Sequence, residues 1–371
     1  MSIIIFIIIL SVLVFVHEMG HFLAAKKAGV RVDEFGFGFP PRAATLFEKW
    51  GTKFTLNWIP FGGFVKIFGE NPNEQLPNVG LRASPKSNIG LESFQNISKR
   101  WQATILAAGV AFNFLLAWAL ISLGFLIGMP YSIENELGAR VENAQLMVVG
   151  VLPDSPAFTA GLKSGDVITS ISREGETLFK MEPDKVSEFV NKSGDKINLQ
   201  ILRNGKRESF EIGPSENVLD GRFALGISMD TVGKLSLPLH LAFWHGAKTS
   251  ISLLTETVKG LASLIIDAFR GRADISQITG PVGIVGIVGD ASQLGFVYIL
   301  TLAAFISINL AVINLLPFPS LDGGRILFVL IEAIKGSPVN PRFFNWANTI
   351  GFALLILLML TITIRDIGNL F

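Results

Sequence analysis

Two histidines four residues apart with a glutamate beside the first, His17-Glu18-Met19-Gly20-His21, are the residues of this 371-residue chain best placed to do chemistry. Residues four apart share one face of an α-helix, one turn from each other, so both imidazoles can present a nitrogen to one cation. That spacing suits Zn²⁺, with the glutamate placed to act as a base toward a water on the metal. The surroundings are unusual for such a motif. Ser2 to Ala25 is otherwise apolar and long enough to cross a hydrocarbon core of ~30 Å. Ionisable groups carried at such depth are costly and face a function. At ~1.5 Å of rise per residue, His17 lies ~22 Å beyond Ser2, so the site sits inside the membrane near one edge and water must reach it by a cavity.

Zinc hydrolases commonly offer three protein ligands and one open position. The candidate third ligand is Asp322, the only acidic or basic residue between Gly295 and Gly324, in the stretch INLLPFPSLDGGRI. Pro317 and Pro319 break the preceding helix there and free backbone at the depth of the histidines. Gly323 and Gly324 then let the chain turn close beside the metal before RILFVLIEAI resumes as a helix. Asp322 also suits the N-cap of that helix, and the two roles can coexist. Charge supports the set: Zn²⁺ with two neutral imidazoles and ionised Asp322 and Glu18 sums to zero, which a low-dielectric region requires.

The elements that must position these groups are membrane helices. Half the residues are hydrophobic and 16% are charged, with a positive mean hydropathy, as in an integral membrane protein. A net charge of +1 suggests no nucleic-acid partner, and the absence of cysteine excludes disulfides and thiolate metal sites. Trp101–Met129, Gly295–Leu316 and Phe343–Ile364 are uncharged runs of spanning length, making four spans with the first. No Lys or Arg precedes the first run, whereas Lys26, Lys27 and Arg31 follow it. That order is the reverse of a signal peptide's and marks a retained span with its C-terminal end in the cytoplasm. Four spans put both termini outside and Lys99, Arg100, Arg325, Lys335 and Arg342 inside.

Between spans the chain is expected to form two further structures. The loop in 29–100 carries FGFGFPPR and then FTLNWIPFGGFVKIFGE. The second stretch reads as a short β-hairpin turning at Gly62-Gly63, and so apolar a segment reads as a membrane-dipping element, with a soluble hairpin as the alternative. Residues 140–232 carry VVGVLPDSPAFTAGLKSGDVITSI and then KINLQILRNGKRESFEI, an alternating pattern with Asn204-Gly205 at the turn of a β-hairpin. This stretch resembles a bacterial PDZ domain, a module that takes up an extended peptide as an added strand. Within 235–290, Leu235–Phe269 reads as an amphipathic helix on the membrane surface. His240 and His245 fall five apart, share no helix face, and are assigned no role. The expected segments are therefore 1–28, 29–100, 101–129, 140–232, 235–290, 295–334 and 343–364.

HEMGH in a first span, GFG, IPFGGFVKIFGE, a PDZ insert, TGPVGI (279–284) and NLLPFPSLDG occur in an order that resembles the site-2 protease family, within it the bacterial RseP type, over nearly the whole chain. The resemblance implies a polytopic α-helical membrane protein with four transmembrane helices, a membrane-associated β-hairpin and one inserted α+β PDZ domain. It implies Zn²⁺ held by His17, His21 and Asp322, Glu18 as catalytic base, and Asn314 holding substrate with Asn309 as helper. Pro317, Pro319, Gly62 and Gly63 would line the substrate site. The implied partners are transmembrane protein substrates already trimmed by another protease, and membrane lipid. The implied location is the bacterial plasma membrane, with the active site near the cytoplasmic face and the PDZ domain outside. Some relatives carry two tandem PDZ domains, whereas this sequence has room for one. A metal transporter would need a relay of polar sites along several spans, and an inactive scaffold would be indifferent to residue 18; neither matches the sequence as well.

Overall fold

The computed structural model describes residues 1–70, 92–178, 180–203, 205–219, 221–272 and 279–368. They form two compact units, one of Met1–Ser122, Phe243–Ser292 and Ile299–Phe371, the other of Leu123–Ala242 with Gln293–Tyr298. The first begins with α1 (Ser2–Lys27), which ends on Lys26 and Lys27, cations that favour the negative end of the helix dipole. Beyond it come β1 (Val32–Lys49) and β2 (Thr52–Ile67), then α2 (Lys99–Ile127).

The β1–β2 hairpin turns at Trp50-Gly51, where Lys49 faces Thr52 and both turn residues have positive φ, 55° and 68°. This corrects the expectation of a turn at Gly62-Gly63. Two successive positive φ angles give the turn whose twist matches paired strands, and Trp-Gly is an uncommon sequence for it. Gly62 (φ +71°) instead bends β2. Val32–Phe37 consequently has a neighbour on each side, Gly63–Ile67 on one and Lys53–Leu56 on the other. Buried Thr52 ties the two strands by donating to Val32 O, and Asn57 does so by donating to Gly38 O. The rest of the hairpin exposes Leu46, Phe47, Trp50, Trp58 and Ile59.

The second unit is α+β. It contains β3 (Met129–Ser132), β4 (Glu142–Val151), α3 (Pro156–Thr159), β5 (Val167–Arg173), β6 (Glu176–Leu178), α4 (Pro183–Asn191), β7 (Ile197–Arg203), β8 (Lys206–Ile212), β9 (Ser215–Leu219), β10 (Arg222–Ala224) and β11 (Ile227–Leu235). The main sheet runs β3-β11-β4-β5-β7-β8, with β6 on β5. Ile197, Leu199 and Ile201 are all fully buried, the period-2 face expected of β7. Arg203 pairs with Lys206 at the end of β7 and the start of β8; the turn expected at Asn204-Gly205 includes Asn204, which lies outside the described residues. The motif SPAFTAGLKSGD also forms as read: Ser155 caps α3 by accepting from Phe158 N, and Gly161 and Gly165 both take positive φ.

The chain then adds α5 (Leu239–Phe269), α6 (Pro281–Leu294), α7 (Phe296–Leu315), α8 (Asp322–Lys335) and α9 (Pro341–Gly368). Among the described residues, five helices are long and apolar enough to cross a membrane: α1, α2, α5, α7 and α9. The addition to the four expected is α5, the least apolar of them and the least packed. It meets α2 near its own start, where Trp118 Nε1 donates to Phe243 O and Gly246 fits against Ser122. At the far end of the chain, Asp366 of α9 accepts from Gly283 N in the first turn of α6, a helix end whose free N–H groups favour an anion. Gly289 of the same helix lies against Ser2, at the start of α1. At the opposite ends of these helices, Lys99 pairs with Glu332 and Arg325 with Glu70, each at 2.5 Å, fastening α8.

One ion pair organises the α+β unit. Asp166, 1% exposed, accepts from Lys163 N and from Nε and Nη2 of Arg203, which also donates to Gly161 O. Removing the cation strands a buried carboxylate, a loss of about 3 kcal/mol or more. Arg203→Met is therefore expected to lower hydrogen-exchange protection of the β5 and β7 amides in the full chain by two orders of magnitude or more. Unchanged protection would show that the pair does not hold the unit.

Candidate metal centre

His17 and His21 lie one turn apart in the C-terminal half of α1, both 7% exposed, with ring centroids 4.7 Å apart. Asp322 reaches them from the first residue of α8. Its Oδ2 is 3.0 Å from His17 Nε2 and 3.4 Å from His21 Nε2, and the two Nε2 atoms are 3.1 Å apart. The sequence allowed Asp322 to be the N-cap of α8. Leu321 takes that position instead, and Asp322 is the first helical residue. Its carboxylate is thereby free to face the histidines.

The hydrogen bonds around the site fix what these atoms offer. His21 Nδ1–H donates to Ile105 O at 2.8 Å, which leaves a lone pair on Nε2. Oδ2 of Asp322 is buried without a hydrogen-bond partner. Lone pairs of three side chains thus converge on one point, all within 4.8 Å of one another. Bonds of ~2.0–2.2 Å to a tetrahedral zinc hold its donors roughly 3.3–3.5 Å apart, so the constellation fits the ion, and two imidazoles with one carboxylate suit its chemistry. Among the described residues no other group of three such side chains has this geometry.

Close packing brings the ligands together. A Cβ on Gly20 would stand 2.4 Å from Ala108 O, and one on Gly109 would stand 2.4 Å from His21 Nε2 and 2.7 Å from His17 Cε1. Glycine at both positions lets α2 back onto the histidine face of α1. The same holds where α8 crosses the end of α7: a Cβ on Gly323 or Gly324 would lie 2.2 Å from Leu315 O or 2.1 Å from Phe318 O. Neither has positive φ, so they serve by small size rather than by the turning freedom the sequence suggested. The loop between α7 and α8, broken by Pro317 and Pro319, is held by α9. Asn348 Oδ1 accepts from Ser320 N at 3.0 Å, and Gly351 fits under Pro319 O.

Glu18, next to His17, turns toward the β-strands. Val65 N–H faces its carboxylate, and Gly63 lies beside its Cγ. Glu18, Gly62 and Gly63 line a cavity of 130 Å³ together with Ser11, Phe15, Gly36 and Pro60. The structure therefore gathers His17, His21 and Asp322 at one point, with Glu18 and the two glycines next to them. Asn314 is half-buried in the last turn of α7. Asn309 donates to Phe305 O of its own helix, 2.8 Å away. Ile105, Gly109, Asn113, Asn348 and Gly351 also shape the site. Of these Asn113 and Asn348 carried a signal, as carboxamides within uncharged runs; Asn113 lies 3.1 Å from His17 Nδ1.

The sequence model of peptidase family M50 matches residues 5–358. A zinc metalloprotease RasP of Geobacillus kaustophilus is 31% identical over 448 aligned positions, covering all of this chain and 98% of the relative. A zinc metalloprotease RasP of Oceanobacillus iheyensis is 29% identical, covering all of this chain and 99% of the relative. Both alignments are longer than this chain by about 70 positions or more, so each relative carries that many residues with no counterpart here although the match runs through nearly its whole length. His17, His21 and Asp322 converge as a zinc site requires. The chain belongs to peptidase family M50, the site-2 proteases, and is a zinc metalloendopeptidase with membrane-spanning helices.

Proposed function

We propose that the enzyme hydrolyses peptide bonds within transmembrane segments of other membrane proteins, in the manner of regulated intramembrane proteolysis. The observation that carries this reading is where the ligands sit: His17 and His21 within an apolar helix of 26 residues, and Asp322 just beyond another of 20. Zinc held by His17, His21 and Asp322 would acidify a water and polarise the scissile carbonyl. Glu18 takes the water's proton and passes it to the leaving nitrogen. A helical substrate hides its amides and must unwind first. The Gly62–Val65 stretch, whose Val65 N–H faces Glu18, offers such a segment a strand to pair with. Pro317 and Pro319 open the backbone opposite, and Asn314, with Asn309 as helper, satisfies other freed groups. The exposed Leu46, Phe47, Trp50 and Trp58 suit a hairpin that dips into lipid.

Four spans fit this reading better than five. The metal ligands lie toward the C-terminal end of α1 and just past the C-terminal end of α7, so both helices run toward the site. If α5 crossed, the chain would have to return before α7, and the 14-residue α6 spans only ~21 Å. The contacts of α6 with Ser2 and Asp366 already put it at the helix ends remote from the site. We therefore take α5 as an interfacial helix. The α+β unit, on the outer side, is read as a PDZ domain. Its 660 Å³ groove, bounded by Val186 and Val190 of α4 and by Leu225 and Ile227, suits an extended peptide end. In this role it filters substrates trimmed by an earlier protease. The location in keeping with such a topology is the bacterial plasma membrane, with the site near the cytoplasmic face.

Two measurements test the chemistry. Glu18→Gln is expected to keep the zinc content of the wild type while cleavage of a membrane-embedded reporter falls by about 10²–10⁴-fold. Undiminished cleavage would remove Glu18 from the mechanism. His21→Ala is expected to weaken zinc affinity by about tenfold or more, read by competition with a chromophoric chelator. Wild-type affinity would mean the metal is held elsewhere.

A further inference from the structure

We propose that Asn113 is a positioning residue for the metal centre: its side-chain oxygen accepts the Nδ1–H of His17 and so commits Nε2 of that histidine to the metal. Nε2 of His17 faces Asp322 Oδ2 at 3.0 Å and His21 Nε2 at 3.1 Å. For a cation to bind there, Nε2 must be bare, and the single proton of a neutral imidazole must sit on Nδ1. A buried N–H needs an acceptor. The group facing Nδ1, at 3.1 Å, is the carboxamide of Asn113.

The amide nitrogen of Asn113 is the atom nearer Nδ1, and its Oδ1 is buried with no hydrogen-bond partner. Two donors would then confront each other in the metal-bound state. Turning the amide by 180° exchanges oxygen and nitrogen without moving any other atom, and it gives Nδ1–H its acceptor. The residue is well fixed for this role. It is fully buried, and its backbone carbonyl accepts from Ser307 Oγ of α7 at 2.8 Å. His21 has the corresponding support from Ile105 O, eight residues earlier on the same side of α2. One helix therefore orients both imidazoles, by a backbone carbonyl for His21 and a side chain for His17.

The test measures zinc affinity in the purified full-length chain, by chelator competition, for the wild type, Asn113→Asp and Asn113→Leu. Asp keeps an acceptor and has no N–H to donate; Leu keeps neither. The proposal expects Asp to bind zinc within about threefold of the wild type or more tightly, and Leu to bind about 10–100-fold more weakly. Loss in Asp equal to that in Leu, or no loss in Leu, would overturn it. Nitrogen NMR of the zinc-loaded wild type with ¹⁵N-labelled histidine decides the matter even if Leu fails to fold. Protonated Nδ1 and metal-bound Nε2 on His17 are required, and metal on Nδ1 would refute the assignment.

Discussion

Lone pairs from three side chains turned toward one point in an apolar interior can be reconciled only by a cation, and the structure of this protein is organised around that constraint. Asp322 lies within ion-pair distance of both imidazoles, and the two imidazole nitrogens face each other at 3.1 Å. Without an ion, Oδ2 of Asp322 is a buried acceptor lacking a partner, a costly state. With zinc, charge and coordination close together. The three side chains come from segments some three hundred residues apart, so a cation held between them would also tie α1 to the α7–α8 junction.

Holding such a site requires helices that approach more closely than ordinary side chains allow. Gly20, Gly109, Gly323, Gly324 and Gly351 all stand where a Cβ would run into backbone or into a metal ligand. In lipid, where burial of apolar surface gives no drive for helices to associate, close packing of small residues supplies much of the attraction. The same residues that assemble the bundle therefore set the distances at the metal. Polar fastenings lie at the helix ends: Lys99–Glu332 and Arg325–Glu70 near the site, Asp366 on α6 at the remote end.

The chemistry of the site was the most legible part of the sequence. HEMGH needs only helical periodicity to be understood, and Asp322 stands out because it is alone in a long uncharged run. What could not be read was the partner across space. Gly109 looks like any small residue in a span until α2 is placed against α1, and Asn348 has no signature linking it to Ser320. The hairpin turn was misplaced because Gly62-Gly63 is the stronger turn signal in composition. The actual turn depends on Trp50 accepting a φ of 55°, which strand pairing on both flanks enforces. Helix α5 shows the limit of composition alone, since it meets the length and apolarity of a span yet packs little. Its reading as interfacial rests on the course of the chain around it.

The central claim is that the peptide bond is cut at membrane depth. The direct measurement is to incubate the purified enzyme, in a lipid bilayer, with a single-span reporter and to identify both new termini by mass spectrometry. The account predicts one cleaved bond inside the reporter's hydrophobic segment, in its cytoplasmic third, level with His17 and Asp322. Cleavage confined to the soluble flanks of the reporter would contradict it.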